Sequence, residues 1–352
     1  MHMRVRVSFI AAFLLICSLT LRCQAAAGSN VLKVFFVDVE GGQATLFVAP
    51  NGGSLLIDTG WPGHDGRDAG RIAAAAKLAG ISRIDAVLLT HYHDDHVGGI
   101  PQLVKRIPVG MFIDHGPNRE LDQGVTQHGF DEYQKVLSTG KYQHLTAHPG
   151  ELLPIQGMKV RVISADGNVL EKPLPGAGSK NQFCDASEVR PDDQTENGRS
   201  LGTEITFGKL TILDLGDLTW DKERALMCPV NKLGHVDVLV VSHHGWYQSS
   251  SPALVDAINE RVAVMDNGAK KGGSIPTFKT IALDPALENL WQVHSSDEAG
   301  VAYNSASKYI ANPPGPDAGN ALELVGHADG SFTMINLGSG YTQHYPAVPP
   351  GN

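Results

Sequence analysis

Four side chains within six positions, His91, His93, Asp95 and His96, combine imidazole nitrogens with a carboxylate oxygen. That is the donor set zinc takes. In an extended segment His91 and His93 point the same way, because side chains alternate, and a turn then carries Asp95 and His96 to a second metal position. Gly98 and Gly99 permit a tight exit from that turn. A lone histidine is ordinarily a surface or core residue. Four donors at this spacing, just past an apolar run, predict a metal-binding loop. Asp58, Asp217 and the pair His243-His244 also follow apolar runs, and that shared placement makes them further candidates. Taken alone, Asp217 could be a turn residue and the histidine pair a solvated loop. Two metals held together would lower the pKa of a water and polarise the centre it attacks, which predicts hydrolysis.

The elements that position these residues read as a strand-rich α/β chain. Val31–Val39, Ala44–Ala49 and Ser54–Ile57 have β character, the last ending at Asp58-Thr59-Gly60. Residues 66–79 form an alanine-rich helix stopped by Gly80. Ile84–Leu89 is an apolar strand running straight into the histidine loop, and Gly110–Asp114 precedes His115. The second half repeats the rhythm. Lys159–Ser164, Gly202–Phe207 and Leu210–Leu215 are strands, then Trp220–Met227 is a helix and Val236–Val241 a strand ending at His243-His244-Gly245. A short helix at Pro252–Ile258, a strand at Val262–Met265 and a terminal hairpin, Ala321–Val325 with Ser331–Ile335, complete the pattern. A long loop, Ala165–Leu201, lies between the halves, and loops of that length are usually functional or mobile. Two similar strand-rich halves without a linker predict one domain over residues 27–352.

Thr90-His-Tyr-His-Asp-Asp-His-Val-Gly-Gly99 resembles the His-x-His-x-Asp-His signature of the metallo-β-lactamase superfamily. Leu56-Ile-Asp-Thr-Gly60, Leu215-Gly-Asp217 and Val241-Ser-His-His-Gly245 match in order. More narrowly, Asp38-Val-Glu-Gly-Gly-Gln-Ala44, Asn197-Gly-Arg-Ser200, Asp217 and His243-His244-Gly245 are similar to the metallo-hydrolase domain of DNA-uptake competence proteins. The resemblance covers nearly all of residues 31–336. It implies a four-layer αβ/βα sandwich with two metals, zinc ahead of manganese or iron, at the edge between the sheets. His91 and His93 would hold one ion, Asp95 and His96 the other, and Asp217 would bridge. Either of His243 and His244 completes the second position; His243 is assigned to the metal and His244 to catalysis. Asp58 is expected to orient ligands or the attacking water. No histidine near Asn197–Ser200 completes the first position, which leaves His115 as a substitute ligand or catalytic group. His64 and Ser200 are further candidates for donating to the leaving group. The turn after Asp38 lacks the acidic end of the competence pattern, which weakens the transfer of nuclease activity.

The resemblance therefore implies hydrolysis of a phosphodiester or another phosphate-containing small molecule. The alternatives are an ester, lactone or β-lactam hydrolase and a non-catalytic metal-binding protein. Trp61, Trp246 and Tyr247 flank the metal-binding stretches and are candidate pocket walls, with core packing the equal alternative. Ser249-Ser250-Ser251 reads as a helix cap before Pro252. Lys270-Lys271, ahead of Gly272-Gly273, can contact an anionic substrate, although a basic loop is usually only solvated.

Composition bounds the partners and the compartment. With 42% hydrophobic and 18% charged residues the chain is globular. Residues 1–26 read as a secretory signal: Arg4 and Arg6, an apolar run from Val7, then Ala25-Ala26-Ala27. Cleavage would leave a secreted or periplasmic protein without a transmembrane anchor, with Cys184 and Cys228 either as one disulfide or as two buried thiols. The formal charge of −9 becomes about −12 once Arg4, Arg6 and Arg22 are removed. Such a surface is a poor electrostatic partner for long nucleic acid. A small-molecule substrate is the expected partner, and the sequence leaves the oligomeric state open.

Overall fold

The computed structural model describes residues 30–122 and 124–348; the secretory signal expected over residues 1–26 lies outside them. The chain builds one sheet, then a second, then returns to the first. β1 (Val31–Phe36), β2 (Thr45–Val48) and β3 (Ser54–Ile57) pair antiparallel. β4 (Ile84–Leu88), β5 (Val109–Asp114) and β6 (Gln143–Thr146) extend the same sheet in parallel. The second sheet starts as an antiparallel group, β7 (Lys159–Ala165), β8 (Asn168–Val169), β9 (Gly202–Phe207) and β10 (Leu210–Asp214). It continues in parallel through β11 (Val238–Val240), β12 (Val262–Met265), β13 (Asn289–His294) and β14 (Ile310–Asn312). β15 (Leu322–His327) then pairs antiparallel with β1, and β16 (Phe332–Asn336) and β17 (Thr342–Tyr345) complete the first sheet.

Three apolar clusters define four layers. The central one joins residues from both sheets, including Val34, Phe47, Leu88, Val160, Ile212, Val264 and Trp291. Trp291 is fully buried, and its indole N–H donates to Tyr345 Oη at 2.9 Å, linking β13 to β17 across the sandwich. A second cluster packs α1 (Arg67–Ala79), α2 (Asp94–Val97), α3 (Ile100–Leu103) and α4 (Gly124–Leu137) on the outer face of the first sheet. A third packs α5 (Trp220–Met227), α6 (Pro252–Ile258) and α7 (Ile275–Leu283) on the second. The architecture is the αβ/βα sandwich expected from the sequence. The parallel strands β4, β10, β11 and β12 are buried on both faces, which is why they read as near-continuous apolar runs.

The structure adds α3, α4, α7, β6, β8, β13, β14 and β17 to the elements legible in the sequence. α4 opens Gly-Val-Thr-Gln-His-Gly-Phe-Asp-Glu-Tyr, with polar residues and a second glycine between its few apolar ones. β17 is Thr-Gln-His-Tyr and places only Tyr345 in the core. Such patterns take their conformation from tertiary packing more than from local periodicity.

Cys184 and Cys228 form a disulfide, with Cα atoms 5.8 Å apart and a sequence separation of 44. It ties the long loop to the end of α5 and resolves the alternative of two separate thiols. A cross-link closing a loop of that length contributes about 4 kcal/mol by restricting the unfolded chain. The double substitution C184S/C228S is expected to lower the denaturation midpoint accordingly. Identical urea curves for the two proteins would show that the bond adds no stability.

Candidate metal centre

The polar residues stand where parallel strands end. β3 delivers Asp58, β4 delivers Thr90 and His91, β10 delivers Asp217, β11 delivers His243 and His244, and β12 delivers Asp266. The carboxyl ends of parallel strands leave a crevice where side chains from several strands converge. Short turns aim them. Asp58 has φ 60°, and His243 and His244 have φ 56° and 53°. Left-handed backbone at these non-glycine residues costs energy that surrounding contacts must offset. Those contacts include His243 N–H donating to Gly216 O at 3.0 Å and Thr90 N–H donating to Asp58 Oδ1 at 2.8 Å.

Two groups of donor atoms result, and Asp217 belongs to both. Asp95, His96, Asp217 and His244 form one; His91, His93 and Asp217 form the other. In the first, His244 Nε2 is 3.1 Å from Asp95 Oδ2 and 3.5 Å from Asp217 Oδ1, and His96 Nε2 is 3.4 Å from Asp217 Oδ2. In the second, His91 Nε2 is 3.0 Å from His93 Nδ1 and 3.8 Å from Asp217 Oδ2.

The outer nitrogens of His91, His93 and His96 are held from behind, which fixes the nitrogen each leaves to bind. His96 Nδ1 lies 2.7 Å from Asp58 Oδ2, and His93 Nε2 lies 3.0 Å from Glu120 Oε2. His91 Nδ1 lies 3.0 Å from Thr90 Oγ1, whose own hydrogen goes to Asp58 at 2.6 Å. His244 Nδ1 faces Asp266 Oδ1 at 3.4 Å. The hydrogen-bonded partners select the tautomer that turns a lone pair inward. If all four are neutral, His91 and His93 meet lone pair to lone pair, as do His96 and His244 at 3.2 Å; without a cation, burial is outweighed at His96 by Asp217, Asp95 and Asp58, which push it well above its usual range. Asp217 Oδ1 is buried without a hydrogen-bond partner. A divalent cation in each group relieves both conditions, so the residues present fit two metals.

Electrostatics agree with a site built for cations. Burial works against a charged Asp217, but His243, His96 and His244 outweigh it and hold the carboxyl well below its usual range. Burial is likewise outweighed at Asp95, by Lys271 and His96. Burial, with His96 and His93 beside it, pushes His91 well down and keeps it neutral, as a ligand must be.

Two assignments from the sequence are corrected. His244, not His243, joins the second group. His243 Nε2 sits 3.3 Å from Asp217 Oδ2 and its other nitrogen 3.5 Å from Ser249 Oγ, because the two consecutive left-handed residues send their rings in different directions. His115 neither supplies the missing ligand nor reaches the reacting centre. Its Nε2 is bound to Glu196 at 2.9 Å, and its ring packs on Tyr92, the residue that alternates away from His91 and His93. Asp58 is fully buried behind His96, so it positions a ligand and does not touch a reactant. Ser200 accepts the Asp217 N–H at 3.2 Å and fixes that turn, while His64 is exposed on a separate one. Gln43 ties the turn after β1 to both halves of the site, its N–H donating to Asp95 O at 3.1 Å and its amide to Asp214 at 2.7 Å.

Glu120, Glu196 and Asp266 join the site without having been among the residues predicted from the sequence. Asp266 follows the apolar strand β12, and the strand-end rule that singles out Asp217 could have found it. Glu120 and Glu196 come from loops that carry no spacing signal. Glu196 N–H donates to Glu120 Oε1 at 3.1 Å, so the long loop after β7 braces the carboxylate that orients His93.

E120Q is expected to weaken metal binding in the His91–His93 group by about 10- to 100-fold while sparing the other. Chelator competition should turn biphasic; release of both metals at unchanged affinity would refute the role.

Residues 37–167 match the metallo-beta-lactamase superfamily. Recombination protein 2 of Haemophilus influenzae is 25% identical over 71% of this chain and 26% of its own length. Competence protein ComA of Neisseria gonorrhoeae is 26% identical over 66% of this chain and 28% of its own. Hydroxyacylglutathione hydrolase of Stenotrophomonas maltophilia is 32% identical over 30% of this chain and 37% of its own. The matches thus span between a quarter and two fifths of the length of these curated relatives. Residues 37–167 thus resemble a metallo-β-lactamase superfamily domain, and the two-sheet sandwich with its ordered strand-end motifs agrees with that similarity.

Proposed function

We propose that the protein is an exported dinuclear zinc hydrolase acting on a phosphodiester or another phosphate-containing small substrate. The observation that carries this reading is the sharing of Asp217 between a four-donor group and a three-donor group. Catalytic zinc sites characteristically have three protein ligands and an open position, and the His91–His93–Asp217 group has that count. This favours an enzyme over a protein that only stores metal. When bound, the two ions supply a nucleophile at neutral pH and Lewis acidity toward the centre under attack.

The chain's own residues do the rest. Asp58, Thr90 and Glu120 hold His96, His91 and His93 in the binding tautomer, and Asp266 faces His244. His243 belongs to neither group, keeps 12% of its side chain exposed and stands beside Asp217, where it can move a proton to or from substrate. The phosphodiester preference draws on the Asp38–Ala44, Asn197–Ser200 and His243–Gly245 motifs and on the similarity to the recombination and competence proteins. Export is supported by the Cys184–Cys228 disulfide, since such bonds persist mainly in oxidising compartments. Among the described residues, no helix is long and apolar enough to cross a membrane.

Purified protein is expected to contain about two zinc ions per chain, falling to about one in His93→Ala. It should hydrolyse bis-(p-nitrophenyl) phosphate, lose that activity to a chelator and regain it with zinc. Activity on nitrocefin alone would overturn the phosphodiester preference. Failure to retain any transition metal after zinc reconstitution would overturn the metal reading.

A further inference from the structure

Lys271 lies in the loop between β12 and α7, which is stapled to the site on two sides. On one side Gly273 N–H donates to His244 O at 2.8 Å, and a Cβ at Gly272 would stand 2.1 Å from the same oxygen. On the other, a Cβ at Gly41 would meet Gly268 N at 2.8 Å and Lys271 Cβ at 2.9 Å. The Lys271 carbonyl also accepts the Gly268 N–H at 2.9 Å, closing the turn. The lysine is therefore projected from a fixed backbone, unlike a basic residue on a loose surface loop.

Its ammonium donates to Gly41 O at 2.9 Å, pairs with the Asp95 carboxylate and lies 5.0 Å from the centre of the Trp61 ring. Among the described residues, it is the only lysine or arginine that forms an ion pair with any donor of the two metal groups. The side chain is 37% exposed, whereas Asp95 is only 8% exposed. One end of the contact faces the buried donors and the other faces solvent. An ammonium carries three donors. Gly41 O and Asp95 engage two, which leaves the third for a ligand arriving from the open side.

We propose that Lys271 is a specificity residue that binds a non-bridging oxygen of the substrate's phosphate at the Asp95–His244 edge of the site. The proposal rests on the phosphodiester reading above and names the group that recognises the anion. It also accounts for the order of the loop: two glycines let backbone pack against His244 so closely that the neighbouring lysine reaches the rim. A charge-assisted hydrogen bond to phosphate oxygen favours an anionic ester over a neutral one. The rival role is structural, in which Lys271 only balances the charge of Asp95.

The test uses zinc-reconstituted full-length protein with Lys271→Gln and Lys271→Arg. Zinc content, the dissociation constant for inorganic phosphate by calorimetry, and kcat/KM on bis-(p-nitrophenyl) phosphate and on neutral p-nitrophenyl acetate are read for each. Lys271→Gln is expected to keep both zinc ions and to weaken phosphate binding about tenfold or more. The diester-to-acetate ratio of kcat/KM should fall by a similar factor. Lys271→Arg should recover most of the phosphate affinity. Loss of zinc from Lys271→Gln, with both substrates reduced alike, would overturn the proposal in favour of the structural role. Unchanged phosphate affinity in a fully metallated variant would overturn it as well. If the wild type cleaves the acetate and not the diester, the phosphodiester reading fails, while the phosphate measurement still decides whether Lys271 binds the anion.

Discussion

The Asp217 carboxylate is the point on which both groups of metal donors depend. It is almost completely buried, with Oδ2 facing His91, His96 and His243 and Oδ1 facing His244. A buried carboxylate is costly unless positive charge meets it, and here most of the surrounding groups are imidazoles already committed by a second contact. A cation held by these donors would meet that cost. Much of the remaining site works to keep those lone pairs pointed at the same place.

That convergence requires strands from two sheets. Asp58 and His91 come from the first, Asp217, His244 and Asp266 from the second, and the central apolar cluster sets the distance between them. Both sheets change from antiparallel to parallel along their order, so the carboxyl ends of β3 and β4 face those of β10, β11 and β12. Gln43 crosses the gap to Asp214, and the Trp291–Tyr345 hydrogen bond links the sheets elsewhere. Strand ends carry Asp58, His91, Asp217, His244 and Asp266, whereas longer loops supply Glu120, Glu196 and Lys271. The long segment after β7, held by the disulfide, delivers Glu196, and the loop after β12 delivers Lys271.

The sequence by itself brought His91, His93, Asp95 and His96 together as candidate metal donors, because they lie so close in the chain that local geometry keeps them near one another. It also determined Asp58 and Asp217 as strand-end residues, since buried parallel strands read as apolar runs and the polar residue after each is conspicuous. Only the tertiary structure decided between His243 and His244. Neighbouring residues cannot be told apart by spacing, and two consecutive left-handed turns settled which ring joins Asp95 and His96. The same holds for His115, whose place in the chain suits a missing ligand but whose ring a buried Glu196 claims. Glu120, Glu196 and Lys271 come from separate loops whose approach depends on how the two sheets pack. No period or motif encodes that approach, and so the places of Glu120, Glu196 and Lys271 around the donor groups were decided by the fold.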